Sequence, residues 1–147
     1  MSELEKCKEA WEEFFKANNL APDAIVYADG SPIWGWCLHH EILLEPLLEP
    51  IWNRIEYVEK FKPKKELETR FLNMRPVKNP SLLPKYLVKA WAEYSKAGAE
   101  YSKAGAEYSK AGAEFNKAEA EFNKSESAQA LHSKDVPNHT WSGNSIF

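Results

Sequence analysis

Between Ala92 and Glu126 the chain reads AEYSKAG, AEYSKAG, AEYSKAG, AEFNKAE, AEFNKSE with no residue between copies. A seven-residue period over this length is the pattern of a helix that presents one continuous stripe to a partner. With Tyr94, Tyr101, Tyr108, Phe115 and Phe122 at position a, Ala97, Ala104, Ala111, Ala118 and Ser125 fall at d. Gly98, Gly105 and Gly112 then fall at e, and Glu119 and Glu126 replace glycine in the last two copies. Positions a, d and e share one side of a helix, so each ring stands between small residues.

Seven residues of helix rise about 10.5 Å, too far for successive rings to stack on each other but wide enough for a partner's ring to enter. The stripe therefore asks for a second helix, and the strict period predicts a left-handed supercoil if that helix is a copy of the first. Each glycine costs about 1 kcal/mol of helix propensity against alanine, and alanine at d buries little, so the zipper is weak. Near-identical copies make its register ambiguous. Tyr94, Tyr101, Tyr108, Phe115 and Phe122 are the expected interface, in a homo-oligomer or against a foreign partner helix.

Ahead of the repeat, Ser2 and Glu5 form a capping box, and Leu4, Cys7, Ala10, Trp11, Phe14 and Phe15 follow at helical spacing up to Asn18-Asn19. Asp29-Gly30-Ser31 separates two short β-prone runs, 24–28 and 32–37, and predicts a hairpin. Trp34 and Trp36 then share one face, expected to pack against the first helix, and Gly35 leaves the other face open to another backbone. Pro46 and Pro50 forbid one smooth helix through ILLEPLLEPIWNRIEYVEKF. A short helix before Pro46 and a new one starting at Pro50 are expected, then a further helix over Glu66–Met74. Asn79-Pro80-Ser81 opens the last helix, which runs on from Leu83 into the repeat.

The 147 residues carry 44% hydrophobic side chains and six tryptophans, enough apolar bulk to fold. Net charge is only −3. It is unevenly spread: residues 58–90 hold 9 bases and 3 acids, while 1–57 hold 4 bases and 11 acids. Lys62, Lys64, Lys65, Arg70 and Arg75, interleaved with Phe61 and Phe71, make a nucleic-acid interface over 60–89 the alternative function. No run of 18 apolar residues occurs, so no membrane span is expected. An acidic start and two cysteines suggest a reducing cytoplasm and no disulfide framework.

The stretch WCLHHEILLEPLLEPIWNRIEYVEKFKPKKELETRFLNMRPVK, the Glu/Lys/Tyr/Ala heptads and a tail of the form LHxxxxPxxxWxGxxIF resemble a family of uncharacterised bacteriophage and prophage proteins. The likeness spans Trp36 to Phe147 and implies no activity. If the chain is phage-encoded, it belongs in the host cytoplasm or the virion. The family's tail often reads LHxxxCPxCxWxGxxIF; here Val136 and His139 stand where it has cysteines, which argues against a family metal site.

Cys37, His39, His40, His132 and His139 are the only soft ligands that a tail returning to the head could gather around zinc. A single rigid helix would carry His132 about 60 Å away, so closure would need a partner chain, and no metal or cofactor is expected. His39-His40-Glu41, expected at a helix start beside Glu45 and Glu49, offers acid–base groups, but no catalytic motif accompanies them, and no enzyme is expected. The expected architecture is mainly α: a small α/β head over 1–79, one long helix over 80–126 with heptads from 92, and a docking tail over 127–147. Its expected function is a non-catalytic structural or protein-interaction module.

Overall fold

The computed structural model describes residues 1–100 and 105–147. The mainly helical expectation holds, with a small β-hairpin in the N-terminal half. Helix α1 (Glu3–Ala17) starts on the predicted capping box: the Glu5 amide donates to Ser2 Oγ at 3.1 Å and the Ser2 amide to Glu5 Oε2 at 2.9 Å. It ends at Asn18, with Asn19 in the left-handed region (φ 53°) that asparagine tolerates.

The sheet is built differently from the expected hairpin. Strand β1 (Trp34–His39) turns at His40-Glu41 and pairs antiparallel with β2 (Ile42–Pro46). The segment before Pro46 is therefore a strand and not a short helix, and the histidine pair lies at a hairpin turn. Ile42, Leu43 and Leu44 are β-prone or fully buried, and Pro46 ends the strand, where a missing amide is tolerated. Around Asp29-Gly30-Ser31 the predicted hairpin contracts to one bridge, Val26 to Pro32. A two-residue strand β3 (Arg75–Pro76) completes the order β2-β1-β3.

A bulge between Trp36 and His39 puts Cys37 at φ 52°, a region costly for a side chain with a Cβ. The bulge folds Leu38 back over the sheet, and a Cβ on Gly35 would meet its Cδ2 at 2.7 Å. Gly35 is thus required by a side chain and not by a neighbouring backbone.

Each side of the sheet has its own buried cluster. On one side α1, α2 (Ile51–Phe61) and α3 (Lys64–Asn73) bring Trp11, Phe14, Ile55 and Phe71 against Ile33 and Leu38. On the other side lie Trp34 and Trp36, which face the C-terminal half and not α1. After a 3₁₀ turn (Pro80–Leu82), α4 (Lys85–Ala99) leaves the sheet, α5 (Gly105–Asn123) returns to it, and α6 (Glu126–Asp135) follows a new cap at Ser125. Leu87, Phe115, Phe122, Leu131 and Ile146 join Trp34 and Trp36 in one core.

The expected single long helix is therefore replaced by an antiparallel helical hairpin. Steps of three and four residues up α4, from Trp91 to Tyr94 to Gly98, meet Phe115, Gly112 and Tyr108 descending α5. A long isolated helix would leave the aromatic stripe in water. Pairing with another copy would cost association entropy of several kcal/mol, whereas pairing within one chain costs only the closure entropy of a few residues.

Candidate functional site: a cleft between the head and the helical hairpin

The predicted ring-in-slot geometry is present, with both partners in one chain. The Tyr94 and Tyr108 hydroxyls lie 3.1 Å apart, and Tyr94 stacks on Phe115 at 5.7 Å with 13° between planes. A Cβ on Gly112 would meet Tyr94 Cε2 at 3.1 Å, and one on Gly98 would meet Tyr108 Cε2 at 3.3 Å. Phe115 and Phe122 are buried in the core. Tyr101, with Ala104, lies outside the described residues.

Of the basic residues, Arg70 is buried and bonds Glu66 Oε2 at 3.2 Å. Arg75 donates to the carbonyls of Phe71 and Met74 and approaches Glu3 at 3.8 Å. Lys62 lies over the Tyr57 ring, and Lys64 and Lys65 are exposed in the first turn of α3. The five do not form one cluster of free cations.

The soft ligands divide into two groups. His39 Nδ1 bonds Glu45 Oε2 at 2.7 Å, and His40 lies beside the Phe147 ring. The fold-back of α5 brings the other three together within one chain, so the expected separation of about 60 Å does not arise. Cys37 Sγ is 4.0 Å from His132 Nε2, and the His132 ring lies 4.2 Å from that of His139 and 5.0 Å from Trp36.

His132 is fully buried, and burial followed by the His139 charge pushes its pKa down to about 3, so it is neutral. Burial pushes the Cys37 thiol up to about 12. Both ring nitrogens of His139 are engaged, one by the Trp141 amide and one by Ser133 Oγ. No group of three or more potential ligands arranged to hold a metal occurs among the described residues.

This cluster anchors the tail. The Trp36 indole donates to Asp135 Oδ2 at 2.8 Å, and the same oxygen accepts from the Lys78 amide. Asn73 accepts from the Thr140 amide at 2.9 Å, and Ile146 is buried and bonds the His40 carbonyl through its amide.

A cleft lies where the hairpin meets the edge of the sheet. Its volume is about 390 Å³, and it is walled by Leu38, His39, Glu45 and Leu47–Glu49 on the head side, with Ile51 and Arg54 from α2. Trp91, Tyr94, Phe115, Asn116 and Glu119 close it from α4 and α5. A second hollow of similar volume shares Leu47, Leu48, Trp91 and Tyr94 with it. Leu48 stands between them, three-quarters exposed.

Glu119 is the exceptional group in this cleft. Its Oε2 is closed off from solvent and has no hydrogen-bond partner among the described residues. Burial, followed by the Glu45 carboxylate, pushes its pKa up to about 7. Arg54 also faces the cleft, with its Nε donating to the Leu38 carbonyl at 2.8 Å.

Glu45 and Glu49 were identifiable from sequence as possible acid–base groups, whereas Trp91, Arg54 and Glu119 were not. Glu119 did leave a signal: it is a carboxylate at heptad position e, where the preceding copies carry glycine on the inward side. Family models, characterised proteins and solved structures all lack a match to this chain.

Proposed function

We propose that this chain is a non-catalytic binding module whose recognition site is the cleft between head and hairpin. The observation that carries the reading is an aromatic-walled cleft of about 390 Å³ whose lining also includes Glu45, Glu49, Arg54 and Glu119. A concave, largely apolar site with a few convergent polar groups, one of them with a displaced pKa, is where ligands bind. The repeat contributes walls to this site. Of its rings, Tyr94, Tyr108 and Phe115 are engaged with one another between α4 and α5, so self-association through these three requires two copies to exchange arms.

The resemblance to phage proteins supports a phage-encoded chain, in the host cytoplasm or the virion. Among the described residues no helix is long and apolar enough to cross a membrane. Fragment screening by protein-observed NMR tests the reading. Shifts concentrated at Leu38, Leu47, Trp91 and Asn116 are expected. Shifts confined to other surfaces, or turnover of a bound fragment, would contradict it.

A further inference from the structure

Helix α2 ends at Phe61 and α3 begins at Lys64, so the turn at Lys62-Pro63 sets the last ring of one helix beside the first cations of the next. Arg54, Tyr57 and Phe61 recur at helical spacing next to the buried stripe of Ile51, Ile55 and Val58. The Tyr57 and Phe61 ring centres lie 5.1 Å apart, and Phe61 is 69% exposed, more than any other aromatic among the described residues. Arg54 Cζ and Lys62 Nζ approach the Tyr57 ring centre at 5.4 and 5.5 Å. Burial on the fold's own core accounts for neither ring.

Of the five cations singled out by the sequence, Arg70 and Arg75 are held by protein acceptors, whereas Lys62, Lys64 and Lys65 form no ion pair among the described residues. Glu56 is engaged by Lys60 and Glu66 by Arg70, which leaves Glu59 as the one unpaired carboxylate between Arg54 and Leu67. Helix α3 has no side-chain cap at Pro63, so its first amides add donors and the positive end of the helix dipole to the same corner.

Exposed rings beside free lysines fit a polymer whose bases stack and whose phosphates recur along the backbone. A duplex keeps its bases stacked inside and would leave Phe61 unused. An anionic membrane would accept the ring but would press the exposed Glu56 and Glu59, on the same turns of α2, against like charge. A single strand crosses the corner as a narrow line and leaves both in water. We propose that the α2–α3 corner binds single-stranded nucleic acid, with an unpaired base stacked on Phe61 beside Tyr57 and the flanking phosphates held by Lys62, Lys64 and Lys65. This surface is at the C-terminal end of α2, whereas the cleft takes Ile51 and Arg54 from its first turns, so the proposal stands apart from what the cleft binds.

The test is fluorescence anisotropy of the full-length protein with a labelled oligothymidylate of about 12 nucleotides, enough to span one such site. Three phosphate contacts on a single strand set a log–log salt slope of about −2, so affinity is expected to fall about twentyfold between about 50 and 200 mM salt. Phe61→Ala should weaken binding about tenfold with the slope unchanged, because stacking releases no counterions. Lys64→Gln combined with Lys65→Gln should reduce the slope to about −0.7. All three side chains are exposed, so both variants should unfold at the wild-type temperature. Affinity unchanged by Phe61→Ala, affinity for a duplex of the same length equal to that for the single strand, or absence of binding at about 50 mM salt would each overturn the proposal. Capture by phosphatidylglycerol vesicles with no oligonucleotide binding would overturn it in favour of a membrane surface.

Discussion

Glu119 shows what one residue can cost a fold when its partner is missing. Its pKa of about 7 in the folded chain, against an ordinary 4.5, means that folding favours the protonated form. The contribution to stability is therefore full below about pH 4.5, declines as pH rises through the interval, and is lost above about 7. The titratable groups that line the same cleft are Glu45 with its His39 partner, Glu49, Arg54 and Tyr94, and of these the Glu45 carboxylate acts on it directly. Glu119→Gln should raise stability at pH 8 by about 1 kcal/mol, allowing for partial solvent screening, and leave it unchanged at pH 4.5. Denaturant unfolding of both proteins at the two pH values checks this, and an equal effect at both would remove the carboxylate's charge from the explanation.

Gly112 makes the complementary point about small residues. Alanine in mid-helix normally gains about 1 kcal/mol over glycine. Here its Cβ would press on Tyr94 Cε2 at 3.1 Å, so Gly112→Ala should bring no gain and lose up to about 1 kcal/mol in thermal unfolding. A full propensity gain would mean that the ring does not occupy the slot. The slot itself was legible from the spacing of tyrosine and glycine. Which helix fills it was not, because a heptad records that a face is paired and carries no address for the partner.

Among the elements, the capping box of α1 and the breaks at Lys62-Pro63 and Asn79-Pro80 could be read directly, since each is set by residues within a few positions. Strand β2 was misjudged because ILLEP is an apolar run too short for periodicity to separate strand from helix. Its identity depends on β1, and so on pairing that local spacing does not reveal. The Trp34 and Trp36 face was predicted correctly as a shared face, and its partner was missed because that partner is the returning hairpin. Heptads inserted at the tip of the hairpin divide between its arms. Two added AEYSKAG units should therefore lengthen the particle by about 10.5 Å, half the roughly 21 Å expected of one straight helix. Small-angle scattering measures the difference. The head should unfold at the same temperature, because the rungs nearest the sheet are unchanged, and loss of cooperative unfolding would contradict the arrangement.

At the scale of the whole molecule, the repeat is internal architecture. It rises from the sheet, turns, and brings Phe115, Phe122 and the tail back onto Trp34 and Trp36, so that residues 99 apart, Trp36 and Asp135, share a hydrogen bond. The cleft exists because the hairpin meets the head along one edge and stands off from it beside Leu47 and Leu48. Without the return of α5 there would be neither a docked tail nor a Glu119 facing Glu45. The most direct test is a distance between spin labels at Lys89→Cys and Lys117→Cys, two exposed positions on opposing helices, in spin-diluted protein with the buried native Cys7 and Cys37 unlabelled. The fold-back within one chain predicts a single distance below about 25 Å, since neighbouring helices lie about 8–10 Å apart and the labels add their own length. A distance of about 42 Å, the rise of 28 helical residues, would contradict it and return the repeat to a straight helix paired with another molecule.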